Sequence, residues 1–221
     1  VAPDARLACV SPSHQYPLGV TMTLGRRLVF LEWASRADAF ILKDDYDSEY
    51  RYRGRPLAAL QGLDEEGRVI YIGTMSKVMF PGLRIGYMVV PDHLVDAFRS
   101  IRVLIDSHPS SVAQAALADF ISEGFLSAHI RRMRALYCTR QATLIELVRQ
   151  ELGGFLNLTP KYAGMHLLAE LPRGFDDTQL SQKLCAASVE APPLSAFCDK
   201  TPSRSGFLLG YAGFGKTEMT N

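Results

Sequence analysis

Three short apolar runs, Arg6 to Val10 (RLACV), Ala39 to Lys43 (AFILK) and Val69 to Gly73 (VIYIG), each end in a cluster of polar or turn-forming residues, and a helical segment separates the first two. Strand, helix, strand is the order of a βαβ unit, whose parallel strands leave their carboxyl ends along one edge. The pattern predicts an α/β fold. The third run is β-branched and aromatic, carries no charge, and is expected to be a strand buried on both faces. Ligands of open α/β sheets lie outside the carboxyl ends of the strands. The polar clusters therefore mark the expected site: the turn SPSHQYPLG (11–19), then Asp44, Asp45 and Tyr46, then the segment from Thr74 through Lys77 to Arg84.

Lys77 carries the most pointed chemistry of these. A partly desolvated amine just past an apolar strand can lose its proton and attack an aldehyde as a Schiff-base nucleophile. The competing reading is a solvated lysine that happens to follow a strand. Asp44 or Asp45 could cap the next turn through an Asx bond, and Arg84 could form a structural ion pair. Gly82 and Gly86, which flank Arg84, suit tight backbone turns. His14 reads as a satisfied turn residue, and His166, inside an apolar strand, as a core histidine with a hydrogen-bond partner.

Composition bounds the alternatives. A chain of 221 residues that is 48% hydrophobic can bury a substantial core. Its net charge of +1 gives no electrostatic case for binding nucleic acid. Arg131, Arg132, Arg134 and Arg140 lack aromatic interleaving and read as the solvated face of a long helix. Cys9, Cys138, Cys185 and Cys198 are widely spaced without a CxxC pair, so reduced and mostly buried thiols are expected, with no disulfide frame and no metal site. Neither a signal peptide nor an apolar run long enough to span a membrane is present, which makes the cytoplasm the expected location.

The segments SPSHQYPLG (11–19), KDDYDSEYRYRGRPLAALQGLD (43–64) and YIGTMSKVMFPGLRIGYMVVP (71–91) resemble the aminotransferase-like, fold type I pyridoxal-phosphate proteins. Weaker continuations are YAGMHLLAEL (162–171) and GFLLGYAGF (206–214). DYDSEYRY following a His-Gln-aromatic-Pro turn is most similar to the effector domain of MocR/GabR-type regulators of the GntR superfamily; the alternative is a class I/II aminotransferase. The resemblance implies the mostly parallel sheet of a partial large domain over residues 1–106 and a small α+β lobe over 107–221 that includes a long interdomain helix. It implies pyridoxal 5'-phosphate as cofactor, with Lys77 as the catalytic lysine. One carboxylate, Asp44 by the family's spacing in preference to Asp45, would meet the pyridine nitrogen and keep it protonated. Tyr46 would hydrogen-bond the phenolic oxygen, and Thr74, Ser76 and Arg84 would bind the phosphate. Gln15 and Tyr16 stand where the enzymes place an asparagine on the phenolic oxygen. Leu208 stands where the enzymes place the arginine that grips a substrate carboxylate, which leaves Arg204 as a substitute grip. The implied partners are a small amine or amino acid, a second copy of the chain in a homodimer, and DNA through a domain outside this chain. The start at Val1, without an initiator methionine, and the end at GKTEMTN are expected to be interior to a longer protein.

Further along, Arg84 to Val90 reads as a fourth strand. Asp92 is expected to cap a helix with Leu94, Val95, Phe98, Ile101 and Ile105 inward. Helices are expected over Ser111 to Ser122, with Ala115, Ala116 and Phe120 inward, and over Leu126 to Leu152, stopped by Gly153 and Gly154. Short strands and one helix follow.

Overall fold

A computed structural model describes residues 4–54, 58–105, 107–199 and 203–220. The chain forms two compact units: Val1–Gln15, Val20–Glu49 and Arg55–Arg131 make the first, and Tyr16–Gly19, Tyr50–Gly54 and Arg132–Asn221 the second.

The first unit is built on a four-stranded sheet in the order β1 (Leu7–Val10), β2 (Phe40–Asp45), β3 (Val69–Thr74) and β4 (Gly86–Val89). The expected βαβ pattern holds. β1, β2 and β3 are parallel, with α1 (Leu24–Arg36) between the first two, while β4 returns antiparallel to β3. Thr23 caps α1, its hydroxyl accepting from the Arg26 N–H. A hydrophobic core of Ala34, Ile41, Leu60 and Val69 joins α1 to one sheet face, with Val10, Phe30, Leu31 and Trp33 packed against it. Asp44 pairs with Ile72 and Asp45 with Gly73 on β3, and Thr74 pairs with Gly86 on β4. By strand alternation Lys43, Asp45, Tyr71, Gly73 and Tyr87 share the face of Ile41, whereas Asp44, Ile72 and Thr74 share the other.

α2 (Met75–Val78) follows β3 directly, and α3 (Val95–Ile105), α4 (Ser111–Ser122) and the first turns of α5 (Phe125–Glu151) complete the unit. These elements confirm the expected helix positions but correct their burial. Asp92 lies in a 3-10 turn before α3 and makes no side-chain cap. Ile101 and Ile105 are 55% and 75% exposed, and Ala115 and Ala116 are exposed as well. Hydrophobic period fixes which residues share a face; it does not supply an element to cover that face. At the edges of the sheet the same holds: Leu7 in β1 and all four residues of β4 are exposed. The inner strand β3, expected to be buried on both faces, is buried only at Val69, Ile70 and Gly73.

The second unit holds the three-stranded antiparallel sheet β5 (Asn157–Leu158), β6 (His166–Glu170) and β7 (Gly206–Gly210), with α6 (Asp177–Ala186), a short α7 (Lys216–Thr220) and the rest of α5. The division falls within α5 at Arg131 and Arg132, later than the sequence-based boundary at 106–107. Leu171, Ala191 and Phe207 form its hydrophobic core with Leu156, Leu180, Leu184 and Leu209. Gly154, at φ +91°, lies just past the end of α5, where a left-handed residue closes a helix. Arg131 and Arg132 are exposed as expected, but Arg134 and Arg140 are half-buried and Arg140 donates to the Ala212 carbonyl. All four cysteines are free; Cys9, Cys185 and Cys198 are exposed and Cys138 intermediate, which corrects the expectation of burial. Among the described residues no helix is long and apolar enough to cross a membrane.

Candidate functional site

The carboxyl ends of β2 and β3 bring most of the expected site residues to one sheet edge. Asp44 is the next-to-last residue of β2, and Tyr46 follows the strand. Thr74 ends β3 and caps α2, its hydroxyl accepting from the Ser76 N–H at 3.1 Å. Ser76 and Lys77 belong to that short helix. The Met75 N–H donates to the Ile85 carbonyl at 2.9 Å, tying the start of α2 to the residue after Arg84. Arg84 itself is left-handed, φ 53° and ψ 34°, so the strained position between Gly82 and Gly86 is the arginine and not either glycine.

Lys77 and Arg84 are exposed, which corrects the expectation of a partly desolvated amine: the described residues do not enclose it. Arg84 forms no ion pair among the described residues. Gln15 is exposed and bridges to Val20 across the turn. Tyr16 and Arg204 belong to the second unit. The Tyr16 ring lies 5.1 Å from both His166 and Phe197, edge-on to each, and His166 contacts the Pro17 carbonyl through Nε2 at 3.1 Å, the expected partnered histidine. Arg204 pairs with Glu170 at 2.7 Å, and Leu208 is buried in β7.

The two adjacent aspartates differ sharply. Asp45 is buried and accepts from Lys43, from the Ser48 hydroxyl at 2.9 Å and from the Tyr71 hydroxyl at 2.9 Å. The Lys43 ammonium also sits 4.1 Å over the Tyr71 ring. Burial pulls Lys43 below the usual lysine range, with the bond to Asp45 opposing it. Burial pushes the Tyr71 phenol far up, reinforced by the Tyr87 hydroxyl and by Asp45. Asp44, on the opposite face, accepts no hydrogen bond among the described residues. Burial raises its carboxyl above the ordinary value of 3.8, the charge of Asp45 adds to this, and Lys43 opposes it.

Behind this edge lies a polar pair that sequence reasoning missed. His14 Nδ1 is 2.7 Å from Asp47 Oδ2, both side chains are 2% exposed, and the Tyr46 hydroxyl donates to the His14 carbonyl at 2.8 Å. The available signal was alternation: Lys43, Asp45 and Asp47 fall at every second residue and are all buried.

A mostly parallel sheet with a lysine, an uncommitted carboxylate, hydroxyls and a guanidinium at one strand edge is the layout of an aminotransferase-type domain. The chain belongs to the aminotransferase class I and II family, which it matches over residues 13–203, and that family implies pyridoxal phosphate as cofactor. Among curated relatives it is similar to the probable rhizopine catabolism regulatory protein MocR of Rhizobium meliloti, 46% identical over 98% of this chain and 44% of the relative. It is also 40% identical to the uncharacterized HTH-type transcriptional regulator YhdI of Bacillus subtilis, over 96% of this chain and 45% of that protein. Among solved structures, the kynurenine aminotransferase of Pyrococcus horikoshii matches with a TM-score of 0.87 at 29% identity, covering 97% of this chain and 53% of that one. The chain thus spans less than half the length of the regulators and about half that of the enzyme.

Proposed function

We propose that this chain is the pyridoxal-phosphate-binding, aminotransferase-like effector domain of a MocR/GntR-type transcriptional regulator. Its similarity to two regulators, and the DYDSEYRY block after the His-Gln-Tyr-Pro turn, support the regulator reading over an enzyme. The observation that carries the cofactor site is the contrast between Asp45, held by three partners, and Asp44, held by none among the described residues. A carboxylate already penalised by burial gains most from a cationic partner, and a protonated pyridine nitrogen is one. The remaining groups fit the other ends of the same molecule: an amine for an aldehyde, and hydroxyls plus a guanidinium for a phosphate dianion.

When bound, pyridoxal phosphate supplies an aldehyde that captures amines and a ring that withdraws electrons. In this reading Lys77 holds it covalently, Asp44 keeps a proton on the ring nitrogen, and Tyr46 donates to the phenolic oxygen. Thr74, Ser76 and Arg84 anchor the phosphate, and Gln15 stands where the enzymes place an asparagine on the phenolic oxygen. The intact protein is then a cytoplasmic homodimer that meets DNA through a domain outside this chain and responds to a small amine or amino acid.

Asp44→Asn tests the carboxylate with two opposed effects. Cofactor retention should weaken, because a neutral amide cannot hold the ring-nitrogen proton. The cofactor-free variant should meanwhile be more stable than wild type at neutral pH. The sign follows from the raised folded-state value: Asp44 favours folding below the ordinary value of 3.8, and that contribution is lost as pH rises through the folded value. The stability difference should therefore shrink in acid. Cofactor titration and thermal melts at neutral and acid pH measure both, and unchanged cofactor affinity would move the role to Asp45 or abolish it.

A class I/II aminotransferase is the second reading, favoured by the likeness to the kynurenine aminotransferase. Two features oppose it: Leu208 offers no charge, and Arg204 must leave Glu170 to grip a carboxylate. A charge-assisted hydrogen bond of that kind contributes roughly 1.5–3 kcal/mol, so its loss weakens amino-acid binding and misorients the reacting bond. Turnover of the intact protein with a panel of amino-acid and 2-oxo-acid pairs should fall below about 1 per second. Faster turnover would make it an enzyme, and loss of that turnover in Arg204→Ala would place the carboxylate grip at Arg204.

A further inference from the structure

The His14–Asp47 pair is buried and unused by the reading above. Its contact of 2.7 Å has the length of a charge-assisted hydrogen bond. Asp47 as a carboxylate only accepts, which assigns the Nδ1 proton to His14. A protonated Nδ1 has no lone pair to offer the Tyr46 hydroxyl, although the two lie 3.3 Å apart. The hydroxyl donates instead to the His14 carbonyl at 2.8 Å. Tyr46 is thus clamped on both sides in sequence: Asp45 is fixed by Lys43, Ser48 and Tyr71, and Asp47 by His14. Glu49, whose carboxyl burial pushes up, adds a further acidic group beside this segment.

We propose that His14 and Asp47 are a positioning pair for the cofactor site: Asp47 locks the histidine whose carbonyl accepts the Tyr46 hydrogen bond, and so sets where that hydroxyl stands and how readily it turns to the phenolic oxygen of bound pyridoxal phosphate. The proposal rests on the cofactor site above. It goes beyond that site in assigning a role to two residues that the reading above does not place on the cofactor. A hydroxyl already satisfied by a fixed carbonyl exchanges one hydrogen bond for another when the phenolic oxygen arrives; a loosened carbonyl removes both the placement and the competition.

The test uses the intact protein loaded with pyridoxal phosphate and reads the ratio of its visible absorption bands at one fixed neutral pH, alongside the melting temperature. Tyr46→Phe should change the ratio, and Asp47→Ala should change it roughly threefold or more, the scale of one hydrogen bond's net contribution. Asp47→Asn should stay near wild type, since its amide oxygen still accepts from Nδ1. In the Tyr46→Phe background, Asp47→Ala should do nothing further to the ratio. A pair that merely stabilises the fold would lower the melting temperature and leave the ratio alone, or act equally in both backgrounds; either result overturns the proposal. Asp47→Ser, too short to reach Nδ1, replaces Asp47→Ala if that variant does not fold. A protein that takes up no cofactor defeats the cofactor reading first. The 15N signals of the His14 imidazole in the cofactor-free protein then still judge the pair: Nδ1 must carry the proton in wild type and Asp47→Asn, and an unprotonated Nδ1 overturns the proposal.

Discussion

Lys77→Ala should abolish covalent capture of pyridoxal phosphate by the intact protein. Wild type should show a visible band that borohydride fixes onto the peptide carrying Lys77; the alanine variant should show neither the band nor the labelled peptide. The effect is all or none because Lys77 is the one amine among the residues assigned to this edge, where Thr74, Ser76 and Arg84 offer hydroxyls and a guanidinium. Lys77→Arg sharpens the test. A guanidinium keeps the positive charge but does not deprotonate in proteins, so cofactor should still bind without being trapped. If the band survives in Lys77→Ala, the lysine assignment is wrong whatever the fold.

Position along this edge was legible because it depends on local pattern. An apolar run followed by Asp44, Asp45 and Tyr46, and another followed by Thr74 to Lys77, specify strand ends, and parallel pairing brings the ends together. What the pattern could not give was commitment. Whether Asp44 or Asp45 is the uncommitted carboxylate depends on Lys43 and Tyr71, and Tyr71 is 26 residues from Asp45. The His14–Asp47 contact spans 33 residues, so neither partner announces the other. Exposure was equally hidden: Ile101 and Ile105 recur at helical spacing whether or not anything covers them. The left-handed Arg84 defeats local reasoning in another way, since Gly82 and Gly86 are the residues a turn argument selects.

Asp177→Ala should destabilise the second unit by about 3–5 kcal/mol, the sum of three buried or part-buried groups losing their acceptor. Asp177 is 1% exposed, although it opens α6 directly after the capping Asp176. Its carboxylate accepts from the Ser195 hydroxyl at 2.5 Å, the Ser195 N–H at 3.2 Å and the Gly206 N–H at 3.0 Å. One side chain thereby ties α6 to the 3-10 turn Leu194–Phe197 and to the first residue of β7. Alanine leaves two N–H groups and a hydroxyl without these acceptors, the Gly206 N–H in a buried setting and the two Ser195 groups in a part-buried one. Asp177→Asn keeps one acceptor and should cost less than half as much. The anchor at Gly206 leaves no slack either, since a Cβ there would stand 2.4 Å from the Ala169 carbonyl oxygen of β6, so the strand cannot slide to a new partner. Denaturant unfolding followed by the near-ultraviolet signal of the aromatic residues measures the loss. A change below about 1 kcal/mol, the range of exposed polar substitutions, would show that the three bonds do not hold the strand in place.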